Sequence, residues 1–247
     1  MKNLFKIALT MLAVIAIGTS CNQNNTKPTY STFVTAVEGS WDIPYYIVFD
    51  DGTTAVVENY KIWTPSFTEE WKELRYIIYY TETELTQSGY DKVINLTAYQ
   101  PISVSKLTNA TVEDFTKKDG LDEFTGKMDI QEAYFSPARN YLTMSVLIPY
   151  SDSSIKHNVK IVRNENDHGP FKEYHSSNDN YLWLEAYHDN NDDSDGYQAI
   201  TYLSLKINED ELGINKVETH YKGIKIVYDS YNKNKTDIYQ LDFHENN

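Results

Sequence analysis

Short apolar runs separated by polar turns dominate the chain, and many of these runs are rich in β-branched and aromatic residues. Such runs are typical of β-strands. In the first part of the chain we predict strands at residues 33–37, 45–49, 54–57, 74–81, 93–99 and 102–107. Asp50-Asp51-Gly52-Thr53 lies between two of them and predicts a hairpin, because Gly52 can adopt the positive φ that such a turn requires. Five or six short strands in residues 32–109 indicate a small OB-like β-barrel domain.

One stretch within this part breaks the strand pattern. Ser66-Phe67-Thr68-Glu69 matches a helix capping box, and Phe67, Trp71 and Leu74 follow at helical spacing. The pattern predicts about two turns of helix before the strand at 74–81.

The second half also reads as strands, after a charged interruption. Residues 110–129 contain Gly120 and Gly126 as breakers, and we interpret them as a linker. Residues 130–247 are predicted to form an antiparallel β-sandwich domain, because the runs follow one another at hairpin spacing. These runs are 130–135, 141–148, 157–163, 181–188, 197–207, 224–228 and 238–243. The two strongest, 181–188 and 197–207, are expected to pair and to place residues 189–196 at an exposed tip. The fold class is therefore all-β.

The N-terminus has the composition of an export signal. Lys2 and Lys6 precede an apolar run that ends in small residues, so residues 1–20 are predicted to be a signal peptide. The apolar run is too short to cross a bilayer permanently. The chain's only cysteine, Cys21, follows directly, and we predict that it carries a lipid anchor on a flexible tether, residues 21–31. An ordinary signal peptide with an incidental cysteine is the alternative.

The order of these parts resembles a known family, the NigD-like lipoproteins of Bacteroidetes. The resemblance rests on Cys21 in a lipobox-like setting, the tether, the Tyr-rich strand with its hairpin at Tyr45–Thr53, the strand 74–80, and the strand and turn at Leu182–Asn190. Gly18 departs from the lipobox, which usually has Leu there. The resemblance implies an OB-like domain joined to a β-sandwich and an outer-membrane location. It brings no functional residues with it.

The charge of the chain limits its partners. The full sequence has a net charge of −14, and removal of residues 1–20 leaves 20 basic against 36 acidic residues. Such a chain repels nucleic acid and anionic lipid, and no cluster of Lys and Arg offsets that repulsion. We expect no nucleic-acid partner, and attachment to a membrane only through the N-terminal lipid.

Motifs for catalysis are sparse. The sequence has no GxSxG, HExxH, Walker or GxGxxG motif. Two SxxK matches, at 103–106 and 153–156, are expected by chance in a chain of this composition. His168 and His175 lie in a polar loop without the spacing of zinc ligands. Glu185 is the one acid within an apolar strand, but alternation with Leu182 and Leu184 places it on the opposite, wetter face. We predict that the protein is not an enzyme.

The acidic turn after residue 188 is the one candidate metal site. Asn191, Asp193 and Asp195 alternate before Gly196, which matches the opening of a calcium loop. Position twelve of that loop is Tyr202 instead of Glu, so any calcium site there is expected to be weak. The competing interpretation is a solvated turn. No other cofactor is expected.

These observations favour a non-enzymatic binding or interaction lipoprotein of the outer membrane, on its periplasmic face or at the cell surface. Its partner would be another envelope protein, and a bacteriocin-related role is the specific version that the family name suggests. The alternative is a cell-surface carbohydrate-binding module or glycan-active enzyme. Exposure of Trp41, Trp63 and Trp183 on a flat platform would favour that alternative.

Overall fold

The computed structural model describes residues 27–40, 42–69, 71–118, 120–165, 168–175, 179–193 and 196–243. The chain divides into two compact units, residues 1–103 and 104–247. The predicted signal peptide and Cys21 lie outside the described residues. None of the helices in the described ranges is long and apolar enough to span a membrane.

The first unit contains a closed five-stranded barrel. Its strands are β1 (Tyr30–Glu38), β2 (Tyr45–Phe49), β3 (Thr54–Val57), β4 (Glu73–Glu82) and β5 (Lys92–Pro101). Their order around the barrel is β1-β2-β3-β5-β4, and only the β3–β5 pair is parallel. Alternate residues of the strands fill the interior with buried apolar side chains, including Val34, Ala36, Ile47, Ile78 and Ile94.

The hairpin predicted at Asp50–Thr53 joins β2 to β3. Gly52 has φ of 90°, and its N–H donates to the Phe49 carbonyl at 2.9 Å. The carboxylate of Asp50 binds Arg75 of β4 through two hydrogen bonds, of 2.6 and 3.0 Å. Arg75 is fully buried and also donates to Thr35 Oγ1. A buried guanidinium needs such a partner, so Arg75 connects this turn to β4 and, through Thr35, to β1.

The helix predicted near Ser66–Glu69 is wrong. The described residues there form an irregular connection, and the only helical turn nearby is a 3₁₀ turn at Tyr60–Ile62. Thr68 instead closes a tight turn, because its N–H donates to the Trp71 carbonyl and its Oγ1 accepts from the Trp71 N–H. Since β4 begins at Glu73, too few residues remain to offset the cost of helix nucleation.

The second unit is a sandwich of two sheets. Strands β6 (Ser103–Lys106), β12 (Tyr197–Lys206), β9 (Tyr141–Tyr150) and β8 (Asp129–Ser136) form the four-stranded sheet in that order. The other sheet has the order β14 (Lys235–Asp242), β13 (Gly223–Ser230), β11 (Tyr181–Asp189), β10 (Asn158–Arg163) and β7 (Thr108–Asn109). The apolar core between the sheets includes Leu142, Met144, Leu184, Leu205 and Ile226.

The predicted all-β fold, a small barrel followed by a sandwich, is confirmed. Two strand pairs of the sandwich, β11–β13 and β7–β10, are parallel, so the sandwich is not purely antiparallel. The predicted hairpin of residues 181–188 with 197–207 is wrong, because β11 and β12 belong to different sheets. β11 pairs with β10 and β13, and β12 pairs with β9.

In the described residues of this unit, three short helices and a small apolar layer accompany the sheets. The helices are α1 (Val112–Thr116), α2 (Glu209–Leu212) and α3 (Val217–His220), and 3₁₀ turns occur at Leu121–Glu123 and Lys172–Tyr174. Thr111 and Asp114 form a capping box at α1. Ala110, Phe115, Leu121 and Phe171, which we call the covering layer, pack on the outer face of the five-stranded sheet. The segment interpreted as a linker, 110–129, thus carries part of the packing of the second unit.

Candidate functional site

The barrel has a cleft where β2 and β3 separate. Their ladder ends at the pair Ile47–Ala55, so Tyr45 and Tyr46 diverge from Val56 and Val57. A cleft of about 310 Å³ opens between these strand ends and the loops at residues 42–44 and 85–87. In OB-type barrels this face and these two loops carry the ligand. The cleft is therefore the candidate binding site of the first unit.

The loop before β2 is folded tightly against itself. Gly39 N–H donates to the Pro44 carbonyl at 2.9 Å, and Ser40 N–H donates to the Ile43 carbonyl at 2.8 Å. A Cβ on Gly39 would lie 1.9 Å from the Ile43 oxygen, so only glycine permits this approach. The turn fixes Ile43 and Pro44 at the wall of the cleft.

Aromatic packing fixes the inner end of the cleft. The Tyr45 ring is buried and meets the Trp63 ring edge-on, with ring centroids 5.2 Å apart. Its hydroxyl donates to the Trp63 carbonyl at 3.0 Å. Burial raises the pKa of Tyr45 well above its usual value, so the phenol stays neutral at physiological pH. Tyr45 is therefore a structural wall of the cleft and not an acid or base.

The outer part of the cleft is apolar with an acidic rim. Leu85 and Tyr60 are 54% and 44% exposed, which is high for large apolar side chains. Asp42 and Glu58 are exposed at the edge, and the lining residues include no Lys or Arg. Glu58 accepts a hydrogen bond from Asn95 Nδ2 at 2.7 Å. The arrangement suits binding of an apolar or positively charged group and offers no nucleophile with a neighbouring base.

Tryptophan exposure does not favour the carbohydrate alternative in the described residues. Trp63 is buried in the barrel core. Trp183 is partly exposed, but its ring stacks on His175 and lies under Lys225 Nζ, and its N–H donates to Asp179. Trp41 lies outside the described residues. Trp63 and Trp183 therefore do not form a flat sugar-binding platform.

The acidic turn is a crossover between the two sheets and not the tip of a hairpin. Asn191 and Asp192 adopt positive φ, and the Asn191 amide donates to the Lys156 carbonyl. Asp193 is buried and accepts hydrogen bonds from Ser151 and His157. Asp195, the third predicted calcium ligand, lies outside the described residues. Within the described ranges, no group of three His, Cys, Asp or Glu side chains is arranged to hold a metal ion.

Asp193 belongs to a chain of polar groups that joins three loops. His188 Nδ1 donates to the Lys127 carbonyl at 3.0 Å, and its Nε2 lies 2.9 Å from His157 Nδ1. His157 Nε2 lies 3.1 Å from Asp193 Oδ2. A carbonyl and a carboxylate can only accept, so His188 Nδ1 and His157 Nε2 are the donors at the two ends of this chain. The hydrogen bond from the Ser151 hydroxyl, with further bonds from the Ser151 N–H and His157, holds the pKa of Asp193 well below its usual value.

Among the described residues of the second unit, Glu185 is the most buried carboxylate. Alternation does place it opposite Leu184, as expected, but that face is dry because the covering layer shields it. The prediction of a wetter setting is therefore wrong. Asn164 Nδ2 donates to both carboxylate oxygens at 3.1 Å, and the Tyr187 hydroxyl donates to Oε2 at 2.5 Å. His175 Nε2 lies 3.0 Å from Oε1.

These contacts make Glu185 a structural anchor. Burial raises the pKa of Tyr187, and the hydrogen bond to Glu185 raises it further. The phenol therefore remains a donor throughout the physiological pH range. With its oxygens engaged under an apolar layer, the carboxylate holds the strand to the segment around Asn164 and His175. The other candidates lie elsewhere: His168 contributes its carbonyl to Asn164, and neither SxxK match falls on a helix.

Sequence reasoning missed the cleft residues. Pro44, Val56 and Leu85 belong to three separate segments that only barrel closure brings together. One signal was available, because Leu85 is the one aliphatic residue within the polar stretch 82–91.

The structure defines a class of protein, an OB-like barrel joined to a β-sandwich, with a candidate binding cleft in the barrel and without an evident catalytic centre in the described residues. A family profile described as the NigD-like C-terminal beta sandwich domain matches residues 111–243. This match covers more than half of the chain, and the chain belongs to the NigD-like family. No curated protein matches it.

Several solved structures share the fold. A protein of unknown function from Bacteroides vulgatus is 19% identical, with 87% of this chain and 90% of that chain covered and a TM-score of 0.61. A NigD-like immunity protein from Bacteroides caccae is 18% identical, with 85% and 90% covered and a TM-score of 0.54. A candidate lipoprotein from Bacteroides fragilis is 13% identical, with 89% and 100% covered and a TM-score of 0.60. At these identities the likeness concerns the fold.

Proposed function

We propose that this protein is a lipid-anchored, non-enzymatic binding protein of the cell envelope, which holds a partner protein in the barrel cleft. The single observation that carries the proposal is the cleft itself. It combines exposed apolar side chains with an open strand junction and has no pair of groups suited to catalysis among its lining residues. In this proposal the buried polar clusters of the second unit serve stability.

Two further observations support the proposal. Similar folds occur in a protein described as a NigD-like immunity protein and in a candidate lipoprotein. The specific version of the role is protection against a bacteriocin, in which the cleft would bind the toxin or its target. The net charge of −14 opposes nucleic acid as the partner.

The anchor is tested by removing the thiol. Cys21→Ala is expected to move the protein from the outer-membrane fraction to the soluble fraction, because a lipid on Cys21 supplies the attachment. The amounts of the Cys21→Ala variant and of the wild-type protein that remain with the membranes after a high-salt wash are compared. A variant that still sediments with membranes would contradict the lipid anchor.

The binding role is tested in intact cells. A photo-crosslinking amino acid at Leu85 is expected to give a discrete protein adduct, because that side chain is exposed at the cleft. The matched position is Glu132, exposed on β8 of the second unit, which is expected to give no such adduct. Identical adducts from both positions, or none from Leu85, would refute binding at the cleft.

A further inference from the structure

We propose that the ligand of the cleft is an extended, positively charged segment of the partner protein, which adds as a strand where β2 and β3 separate. This inference rests on the proposed function and names the chemistry of the partner. Binding of such a segment requires three features of the cleft: free strand edges, apolar contacts for alternate side chains, and negative charge at the rim.

The strand edges come from the early end of the β2–β3 ladder. Beyond Ile47–Ala55, β2 still pairs with β1 through Tyr46 and Tyr45, and β3 still pairs with β5 through Val56 and Val57. Each strand is thus held rigid on one side while its other side faces the cleft. Such edges present backbone N–H and C=O groups in the spacing that an extended peptide matches.

The apolar contacts lie on both sides of these edges. Ile43 and Pro44 form one wall, and Leu85 and Tyr60 project from the other lining segments. Leu85 and Tyr60 are among the large apolar side chains that the described residues leave most exposed. In an extended peptide, alternate side chains point the same way, so one set can bury against these residues. A few side chains buried in well-packed pockets carry most of the binding energy of an interface.

The negative charge at the rim of the cleft favours positive charge on those peptide side chains that do not enter the apolar contacts. Asp42 and Glu58 are exposed there, the described residues that line the cleft include no Lys or Arg, and the whole chain is acidic. A basic segment is attracted and steered toward this rim, whereas an acidic segment or a nucleic acid is repelled. A neutral oligosaccharide would instead require a platform of exposed rings, and among the described residues at the rim Tyr60 is the one exposed ring.

The inference is tested with peptides of defined sequence. The protein is the full chain with Cys21→Ser, so that no lipid is attached. Fluorescent nine-residue peptides of alternating Lys and Val or Leu are compared by anisotropy with peptides in which Glu replaces every Lys. A third set replaces the central residue by Pro, which removes a backbone donor. We expect the basic peptide to bind at least about tenfold more tightly than either of the others.

Matched variants separate the cleft from general attraction. Asp42→Lys/Glu58→Lys is expected to weaken the basic peptide by about tenfold or more. Glu113→Lys/Glu132→Lys makes the same change in net charge on exposed positions of the second unit and is expected to have a small effect. Because Glu58 accepts a hydrogen bond from Asn95, Asp42→Lys alone is measured as well, and circular dichroism checks that each variant is folded.

The outcomes distinguish failure of the inferred ligand chemistry from failure of the binding role itself. Equal weakening by both pairs of variants, or equal binding of the Pro-containing peptide, overturns strand addition of a basic segment. If no basic peptide binds while the crosslinker at Leu85 still captures a protein, the binding role stands and the chemistry inferred here is wrong. If a neutral oligosaccharide binds the wild-type protein and the Leu85→Glu variant no longer binds it, the inference is overturned in favour of a carbohydrate ligand. If neither peptide nor crosslink reports binding, both proposals fail.

Discussion

Replacing Glu185 by Ala tests how the second unit is held together. The change removes an acceptor for two buried donors, Asn164 Nδ2 and the Tyr187 hydroxyl, and the neighbour of His175. Asn164 Nδ2 keeps its bond to the His168 carbonyl, so one of its two N–H groups loses an acceptor, and the Tyr187 hydroxyl loses its acceptor as well. Each such loss costs about 1–3 kcal/mol, and with the small cavity the lost stability is about 3–5 kcal/mol. Glu185→Gln keeps the volume and one acceptor oxygen, and it is expected to cost less, about 1–2 kcal/mol.

The assay must report on one unit of a two-unit chain. Hydrogen exchange measured peptide by peptide gives the opening free energy of β11 separately from that of the barrel. The loss is expected in β11 and the covering layer, while barrel strands keep their protection. Glu132→Ala, at an exposed position of the same unit, is the control and should change stability by less than about 0.5 kcal/mol.

A double-mutant cycle sharpens this prediction. Tyr187→Phe removes the phenolic donor and keeps the ring, so Glu185→Gln and Tyr187→Phe together should cost at least about 0.5 kcal/mol less than the sum of the two. If Glu185→Ala costs no more than Glu132→Ala, the carboxylate does not hold the segment above it, and the structural role assigned to it is refuted.

Three further predictions follow from the described geometry. Gly52→Val should destabilise the barrel by about 1–3 kcal/mol, because a β-branched residue adopts φ near 90° only with strain; unchanged exchange in β2 and β3 would contradict this. Asp193 has a lowered pKa, so its contribution to stability is present above the unfolded value of about 4 and is lost as pH falls through the folded value; denaturation from pH 7 to pH 3 should show a smaller acid loss for Asp193→Asn than for wild type. Calcium up to about 5 mM should leave the wild-type Tm unchanged, since Asp193 is already bound by Ser151 and His157; a rise that Asp193→Ala abolishes would establish a site.

Local signals predicted most strands, because each strand needs only its own pattern of apolar and β-branched residues. The hairpin at Asp50–Thr53 was predictable for the same reason, since four consecutive residues determine the turn. The capping box at Ser66–Glu69 failed because the same four residues say nothing about how soon β4 begins. Tertiary structure overrides a local helix signal when the residues that follow it are needed for a barrel strand.

Partnerships between distant strands were not predictable. β11 and β12 are both strong strands separated by a turn-like segment, which is the pattern of a hairpin, yet β11 pairs with β13 and β12 with β9. Burial of Glu185 depended on Phe115 and Phe171, which lie far away in the sequence. The cleft likewise required closure of the barrel. These features arise from contacts between residues far apart in the chain, and no short segment of the sequence reveals such contacts.

The place of β11 between β10 and β13 has a consequence for how the chain reaches its native state. β10 precedes it, but β13 begins at Gly223, more than thirty residues further along. During synthesis, β11 therefore presents an unmatched edge until β13 (Gly223–Ser230) has emerged from the ribosome. Such a delay slows folding and exposes the nascent chain to aggregation. We expect the barrel to fold first and the sandwich to fold only once β13 is available to pair with β11.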